Sequence, residues 1–392
     1  MCGPRQAVSF APMRPSSQLE IDLRRLDENL AAMRGLVGPA VRVCGVVKAD
    51  AYGLGAATIG RRLAAAGIDM LAVYSPEQAA ELLQAGIERP VMVLMPVREL
   101  EAGDSLHAAA RRGQLHLTIQ DADQIESLER CATQFGCRIH AHLHLDTGMS
   151  RGGMHAEEFV RAIDRLRGSK GLRPAGAYTH FSSAEEDAPF TEEQMAAFEN
   201  VLARVRPMLP GDFLVHAANT AAAHRHQRFH QTMIRVGLGL LGYGPSLIKG
   251  QWLKPDAGVQ PILRWRTRLV HVGRFPKGAA VGYNRTHILR RDSVLGVVPI
   301  GYADGYPLAL GNKGAMELLS VSVPVLGKVN MDQTVLDLTD APANAARVGA
   351  EVLAISDDPR SPCCVERLAE RANSSCYELL CRLSPRIPRV YA

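Results

Sequence analysis

The chain reads as α/β: an N-terminal (β/α)8 barrel of the TIM type over residues 18–255 and a C-terminal, mainly β domain over 256–392, after a loose N-terminal extension at 1–17. Three observations predict this. Short apolar runs alternate with amphipathic helical stretches eight times between about residues 20 and 250, the pattern of parallel strands covered by helices. From about Ile262 the runs become rich in Thr, Val and Leu with period-two character, as in RTRLVHVG, SVLGVVPIG, LLSVSVPVLGKV and EVLAI, punctuated by Gly, Pro and Asp-Gly turns. No internal repeat, low-complexity block or linker separates the two textures, so the domains are expected to pack closely. A doubly wound sheet is the alternative for the first half.

The eight strand candidates are Val43–Val47, Met70–Tyr74, Val91–Met95, Leu115–Ile119, Ile139–Leu145, Ala175–His180, Phe213–Ala217 and Thr232–Val236. The first has the length and glycine neighbours of a fully buried strand. Between the strands, Phe159, Ile163 and Leu166 recur at helical spacing in His155–Gly168. In Thr191–Val205, Thr191 and Gln194 read as a capping box ahead of Met195, Phe198 and Leu202. One short helix is expected near Val365–Ala372 in the second domain.

Composition narrows the function classes. At 47% hydrophobic and 22% charged residues, the 392-residue chain is an ordinary globular sequence, and a formal charge of +5 with interspersed signs argues for neither nucleic acid nor an anionic membrane. Residues 1–17 hold three prolines and no apolar block long enough for a signal peptide or a membrane span. The eight cysteines show no Cys-x-x-Cys pattern and read as free thiols of a cytoplasmic protein.

The residues that carry chemistry collect where the strands end. Lys48, in VCGVVKADAYGLG, follows the first strand. A lysine delivered by a buried strand either snorkels to solvent, pairs with Asp50, or is a desolvated amine suited to Schiff-base chemistry. Arg151 follows the fifth strand in DTGMSR, His180 closes the sixth, Asn219 and Thr220 follow the seventh, and Arg235 and Gly237 close the eighth. Active sites of such barrels sit at the C-terminal strand ends, and the glycine-rich turn after strand eight suits a phosphate. An amine beside a phosphate site, with no Walker motif, points to pyridoxal 5'-phosphate. Arg235, opposite the ring nitrogen, would favour its deprotonated form and suit proton exchange at Cα.

An ordered set of segments then resembles one family: VVKADAYGLGA, LDTGMSRGG, AYTHFSSA, HAANTAA, IRVGLGLLGYG, VGYNRTH, PIGYADGYP, GKVNMDQT and CYELLCRLSPRIPR. Together they are similar to the alanine racemases, pyridoxal phosphate-dependent enzymes with a barrel and a β domain. The resemblance implies interconversion of L- and D-alanine by two bases, Lys48 on one face of Cα and Tyr283 on the other. It implies that Arg235 addresses the pyridine nitrogen, and that His180 helps the tyrosine, whose ordinary pKa is near ~10, to ionise. Tyr52, Thr220, the Gly237 and Leu238 backbone and Tyr377 would hold the phosphate, with Asn219 in support, and Arg151 and the Met331 backbone the substrate carboxylate. In the family, the groups matching Tyr283 and Met331 come from a partner subunit, which implies a homodimer with shared sites.

One position departs from the pattern. Many family members carry a carbamylated lysine seven residues before the substrate arginine, and His144 stands there. A neutral imidazole can accept a hydrogen bond from Arg151 but supplies no negative charge. A broad-specificity or serine racemase of the same fold shares most motifs. The run His140, His142, His144 on one strand face also admits a metal-dependent barrel hydrolase, although no suitable ligand set sits at the other strand ends.

Overall fold

The computed structural model describes residues 15–101, 105–243 and 258–392. The strands are β1 (Ser17–Ile21), β2 (Arg42–Val46), β3 (Met70–Val73), β4 (Val91–Val93), β5 (Leu115–Ile119), β6 (Ile139–His144), β7 (Leu172–Tyr178), β8 (Leu214–His216), β9 (Met233–Val236) and β10 (Leu263–Arg268), followed by the short strands of the C-terminal domain. Strands β2 to β9 form one parallel sheet in the order β8-β7-β6-β5-β4-β3-β2-β9. Its two edges meet again: Thr232 N–H donates to the Val215 carbonyl at 3.0 Å and Arg235 N–H to the Ala218 carbonyl at 2.9 Å. The sheet therefore comes round to a nearly closed barrel, and the doubly wound alternative is excluded.

Helices follow the strands because their starts are capped. Asp22, Ser75 and Asp121 each accept a backbone N–H at the head of the helices Leu23–Val37, Pro76–Gln84 and Ala122–Phe135. The capping box expected at Thr191 is a correction. The helix runs Ala188–Val205 and is capped by Asp187, with Pro189 in its first turn. Proline is preorganised for that position, so the helix starts a turn earlier. Thr191 lies inside it and donates to the Asp187 carbonyl, and Gln194 reaches the Ser182 N–H and the His180 carbonyl.

Strand alternation divides the buried residues into two sets. The outward-facing side chains join the helices in the main core, while Cys44, Met70, Ala72, Met92, Leu214 and Met233 form a small separate cluster inside the barrel. The rest of the interior is polar, with His116, Thr118, His142, His216 and Arg235 all buried.

The second domain is built on a six-stranded sheet that includes the chain's first strand. β1 pairs antiparallel with β10 and parallel with the last strand, Arg389–Tyr391. The boundary expected at residue 18 thus cuts through a strand of the C-terminal domain, because only pairing across 246 residues reveals where β1 belongs, as in Glu20 with Arg266. The boundary expected at 255/256, like residues 1–14 of the extension, lies outside the described residues. The expected helix is Val365–Arg371, and a second one, Cys376–Cys381, is too short to show periodicity in sequence. That second helix packs against the segment carrying Lys48.

Candidate active site

β2 ends at Val46 and hands the chain to Lys48–Gly53, whose interior is left-handed: φ is 52° at Ala49, 55° at Asp50, 51° at Ala51 and 58° at Tyr52. Each such residue costs roughly 1–2 kcal/mol, so the surroundings must hold the turn. They do. Asp50 accepts the Ala56 N–H at 2.6 Å, Arg389 and the Tyr391 hydroxyl donate to the Gly53 and Leu54 carbonyls, and a Cβ on Gly53 or Gly55 would strike the Leu380 carbonyl at 2.7 Å or the Tyr391 hydroxyl at 1.9 Å. The C-terminal strand and helix thus clamp the turn that presents Lys48. Burial, and then the charge of Arg151, lower the Lys48 pKa, with Arg235 adding to this and Cys381 opposing it.

Arg235 ends β9 inside the barrel mouth, 6% exposed. No carboxylate pairs with it among the described residues. Its guanidinium donates to the His216, Thr179 and Ala217 carbonyls, at 2.9, 2.9 and 3.3 Å, and to His216 Nδ1 at 2.9 Å, and lies 5.2 Å from the centre of the Tyr178 ring. Such a set holds a cation by dipoles alone and leaves its charge uncompensated. His180 Nδ1 lies 3.4 Å from the same guanidinium, and burial and the Arg235 charge push its pKa down to about 3, so the ring is neutral near pH 7.

Arg151 is carried by a loop that Asp146 shapes, accepting the N–H groups of Gly148, Met149 and Ser150. The bond that a neutral His144 could accept from Arg151 is not formed. Neither His144 ring nitrogen has a hydrogen-bond partner, and the ring instead stacks on Tyr178, 4.3 Å between centres and 6° from parallel. β6 and β7 are in register at this pair, which brings the two rings face to face.

Asn219 caps the helix Thr220–Arg225 through the Ala222 N–H, and the Thr220 hydroxyl accepts the Gly239 N–H at 3.2 Å. The Gly237 carbonyl accepts from Leu240 and Leu241, making a helical turn whose leading N–H groups have no partner within it. A Cβ on Gly237 would sit 2.1 Å from the Tyr52 hydroxyl. Tyr52 is buried with its ring 6.2 Å from that of Tyr377, whose hydroxyl donates to Glu185 at 3.2 Å. The structure thus gathers Lys48, Tyr52, His180, Asn219, Thr220, Arg235, Gly237, Leu238 and Tyr377 at one mouth. An amine of lowered pKa, a cationic donor and a tyrosine-lined glycine turn fit the aldehyde, ring nitrogen and phosphate of pyridoxal phosphate.

Tyr283 and Met331 are elsewhere. They lie on the C-terminal domain and are 71% and 56% exposed. The histidines of β6 do not converge on a metal site: among the described residues no three metal-type side chains cluster suitably, and His140 and His142 bond to other histidines. The roles of His116, His216 and Tyr178 were not legible in sequence, where nothing in the local pattern links one to another.

Two family models together span almost all of the chain: "Alanine racemase, N-terminal domain" over residues 21–245 and "Alanine racemase, C-terminal domain" over 262–391. The chain is 34% identical over 373 residues to the alanine racemase of Halothermothrix orenii, covering 95% of this chain and 96% of that protein. It is 35% identical to that of Sorangium cellulosum, covering 97% and 99%. Among solved structures, the alanine racemase of Streptomyces lavendulae superposes with a TM-score of 0.87 at 27% identity, covering 97% and 98%. That of Bartonella henselae, described with covalently bound pyridoxal phosphate, gives 0.82 at 25%, covering 97% and 100%.

Proposed function

The chain belongs to the alanine racemase family, and on that premise we propose how its residues interconvert L- and D-alanine. Pyridoxal phosphate, bound through Lys48, supplies the electron sink that acidifies the Cα proton. Everything else is done by the protein. Tyr52, Thr220, the Gly237–Leu238 backbone and Tyr377 hold the phosphate, with Asn219 fixing the helix that carries Thr220. Arg235 would face the ring nitrogen and, being unable to give up its proton, would limit charge delocalisation there and so favour return of the proton over side reactions. Arg151 and the Met331 backbone of the partner subunit bind the substrate carboxylate.

Inversion needs a base on each face of Cα. The Lys48 amine takes or returns a proton at Nζ, and the phenol of Tyr283 of the partner subunit does the same from the opposite side. His180, neutral because it is buried beside Arg235, can accept a hydrogen bond from that phenol and ease its ionisation. The single observation that carries this reading is Lys48: a half-buried amine of lowered pKa, held on a left-handed turn and facing an uncompensated arginine.

The exposure of Tyr283 and Met331 supports a homodimer in which each subunit completes the other's site. Seven described cysteines, all free thiols, accord with a reducing cytoplasm. Among the described residues no helix is long and apolar enough to cross a membrane.

Two measurements test the reading. Borohydride reduction of cofactor-loaded protein should fix the cofactor on the peptide containing Lys48, and its appearance on another lysine overturns the assignment. Mixing inactive Lys48→Ala and Tyr283→Ala proteins should restore about a quarter of native activity by random re-pairing of subunits. No recovery from mixed dimers overturns the shared site.

A further inference from the structure

Behind Arg235 four imidazoles run in single file through the barrel. His216 Nε2 lies 2.8 Å from His142 Nδ1, His142 Nε2 lies 2.8 Å from His116 Nδ1, and His116 Nε2 lies 3.0 Å from His140 Nδ1. The line ends at the opposite, N-terminal mouth, where His140 Nε2 is 3.5 Å from Arg173 in a recess of about 220 Å³ that also holds Arg42, Asp69 and Asp212. The line has been given room: a Cβ on Gly176 would sit 2.4 Å from His142 Nδ1.

Proton counting gives the line a direction. Arginine only donates, so His216 Nδ1 must be a bare acceptor and its single proton sits on Nε2. That proton occupies the first link, which forces His142 into the same tautomer, then His116, then His140. Four neutral rings carry four protons and the links take three, so one outer nitrogen must bear the fourth. It falls on His140 Nε2, because Arg173 is half-exposed, paired with Asp212 and only at 3.5 Å, and can turn away, whereas Arg235 is buried at 2.9 Å from His216 and cannot. Burial keeps His142 and His216 neutral, as the direction requires.

We propose that His142, His116 and His140 are positioning residues for Arg235: by locking His216 in its Nε2–H tautomer, they keep an acceptor against the guanidinium and so fix the orientation in which it would meet the cofactor ring. This rests on the reading that Arg235 faces the ring nitrogen. If a link is broken, the ring above it has a buried donor without an acceptor. It is then relieved by the reversed tautomer, which sets a His216 Nδ1–H against Arg235. His116 hydrogen-bonds to His142 and His140 and to neither Arg235 nor His216, so a tautomer change at His216 on its substitution travels along the line.

The test is nitrogen NMR of histidine-labelled protein, with and without cofactor, in His116→Leu, His116→Gln and His140→Leu. Native protein should show His216 Nδ1 unprotonated. His116→Leu should give a Nδ1–H population at His216, a shifted absorbance maximum of the bound cofactor and a several-fold fall in kcat at unchanged KM. His116→Gln, which can both accept and donate, should restore all three. His140→Leu, at the half-buried outer end, should act in the same direction and covers the case in which His116→Leu does not fold. An unchanged His216 tautomer in both leucine variants overturns the proposal. The cofactor-free spectra judge the line alone, whereas a cofactor spectrum indifferent to Arg235→Lys would instead overturn the assignment of Arg235.

Discussion

The two mouths of the barrel each hold an arginine at one end of the histidine line, and the two are treated in opposite ways. Arg173, at the N-terminal mouth, is 39% exposed in its side chain and paired with Asp212. Arg235, at the C-terminal mouth, is buried, has no carboxylate among the described residues, and is held by carbonyls and an imidazole. A fold optimised for stability alone would pair or expose such a cation. The difference separates an arginine neutralised at the surface from a buried one whose charge no carboxylate among the described residues neutralises. The backbone follows suit: four successive left-handed residues sit beside Lys48, where strain is retained because the C-terminal strand and helix hold it.

The comparison can be broken at several points. Lys48→Ala should lower kcat by ~10³-fold or more while leaving the thermal midpoint close to native, because the side chain is only half-buried. A folded, fast Lys48→Ala enzyme would remove the C-terminal mouth's special status. Tyr283→Phe should lower kcat by about 10²-fold or more with no loss of stability, since an exposed phenol contributes little to folding; rate and denaturation measured on one preparation decide it.

The arginines themselves give the next contrast. Arg235→Ala strips hydrogen bonds from three buried carbonyls and an imidazole, and should destabilise the fold by about 2–4 kcal/mol. Arg173→Ala should change stability by only about 0–1 kcal/mol, as for an exposed ion pair. Urea unfolding of the two variants sharpens the comparison, and equal losses would erase it.

The imidazoles make the contrast depend on pH. Burial lowers the pKa from 6.5 to about 3 at His142 and about 4 at His144. Unfolded histidines therefore bind protons that the folded ones refuse. Stability is fully present above about pH 6.5 and falls as pH drops through 6.5 toward 4, by up to ~1.4 kcal/mol per pH unit for each such ring. Urea midpoints between pH 7 and pH 4 should show this slope, and His144→Leu should reduce it. The smallest effect is expected from His144→Lys, which should alter the KM for alanine by a few-fold while sparing the fold.

Local pattern determined a good deal of this protein. Short apolar runs between helically spaced stretches located all eight barrel strands to within a few residues, since a strand buried on both faces must be apolar along its length. The chemistry at their ends was legible because lysine, arginine and histidine are out of place there: Lys48, Arg235 and His180 stood out for that reason. What local pattern did not carry is whatever depends on pairing between distant segments. β1 belongs to the second domain because of β10 and the last strand. The Thr191 capping box gave way to Asp187 and Pro189. Tyr377 joins the site because a short helix folds back onto the Lys48 turn. His144 finds Tyr178 rather than Arg151 because β6 and β7 set those rings in register. The histidine line is the clearest case: its members come from three strands, each an isolated polar residue or part of an alternating run. Only closure of the barrel brings His216 within 2.8 Å of His142 and His142 within 2.8 Å of His116. Hydrophobic periodicity reports which face is buried; the partner a buried polar group finds there is decided by barrel register and closure.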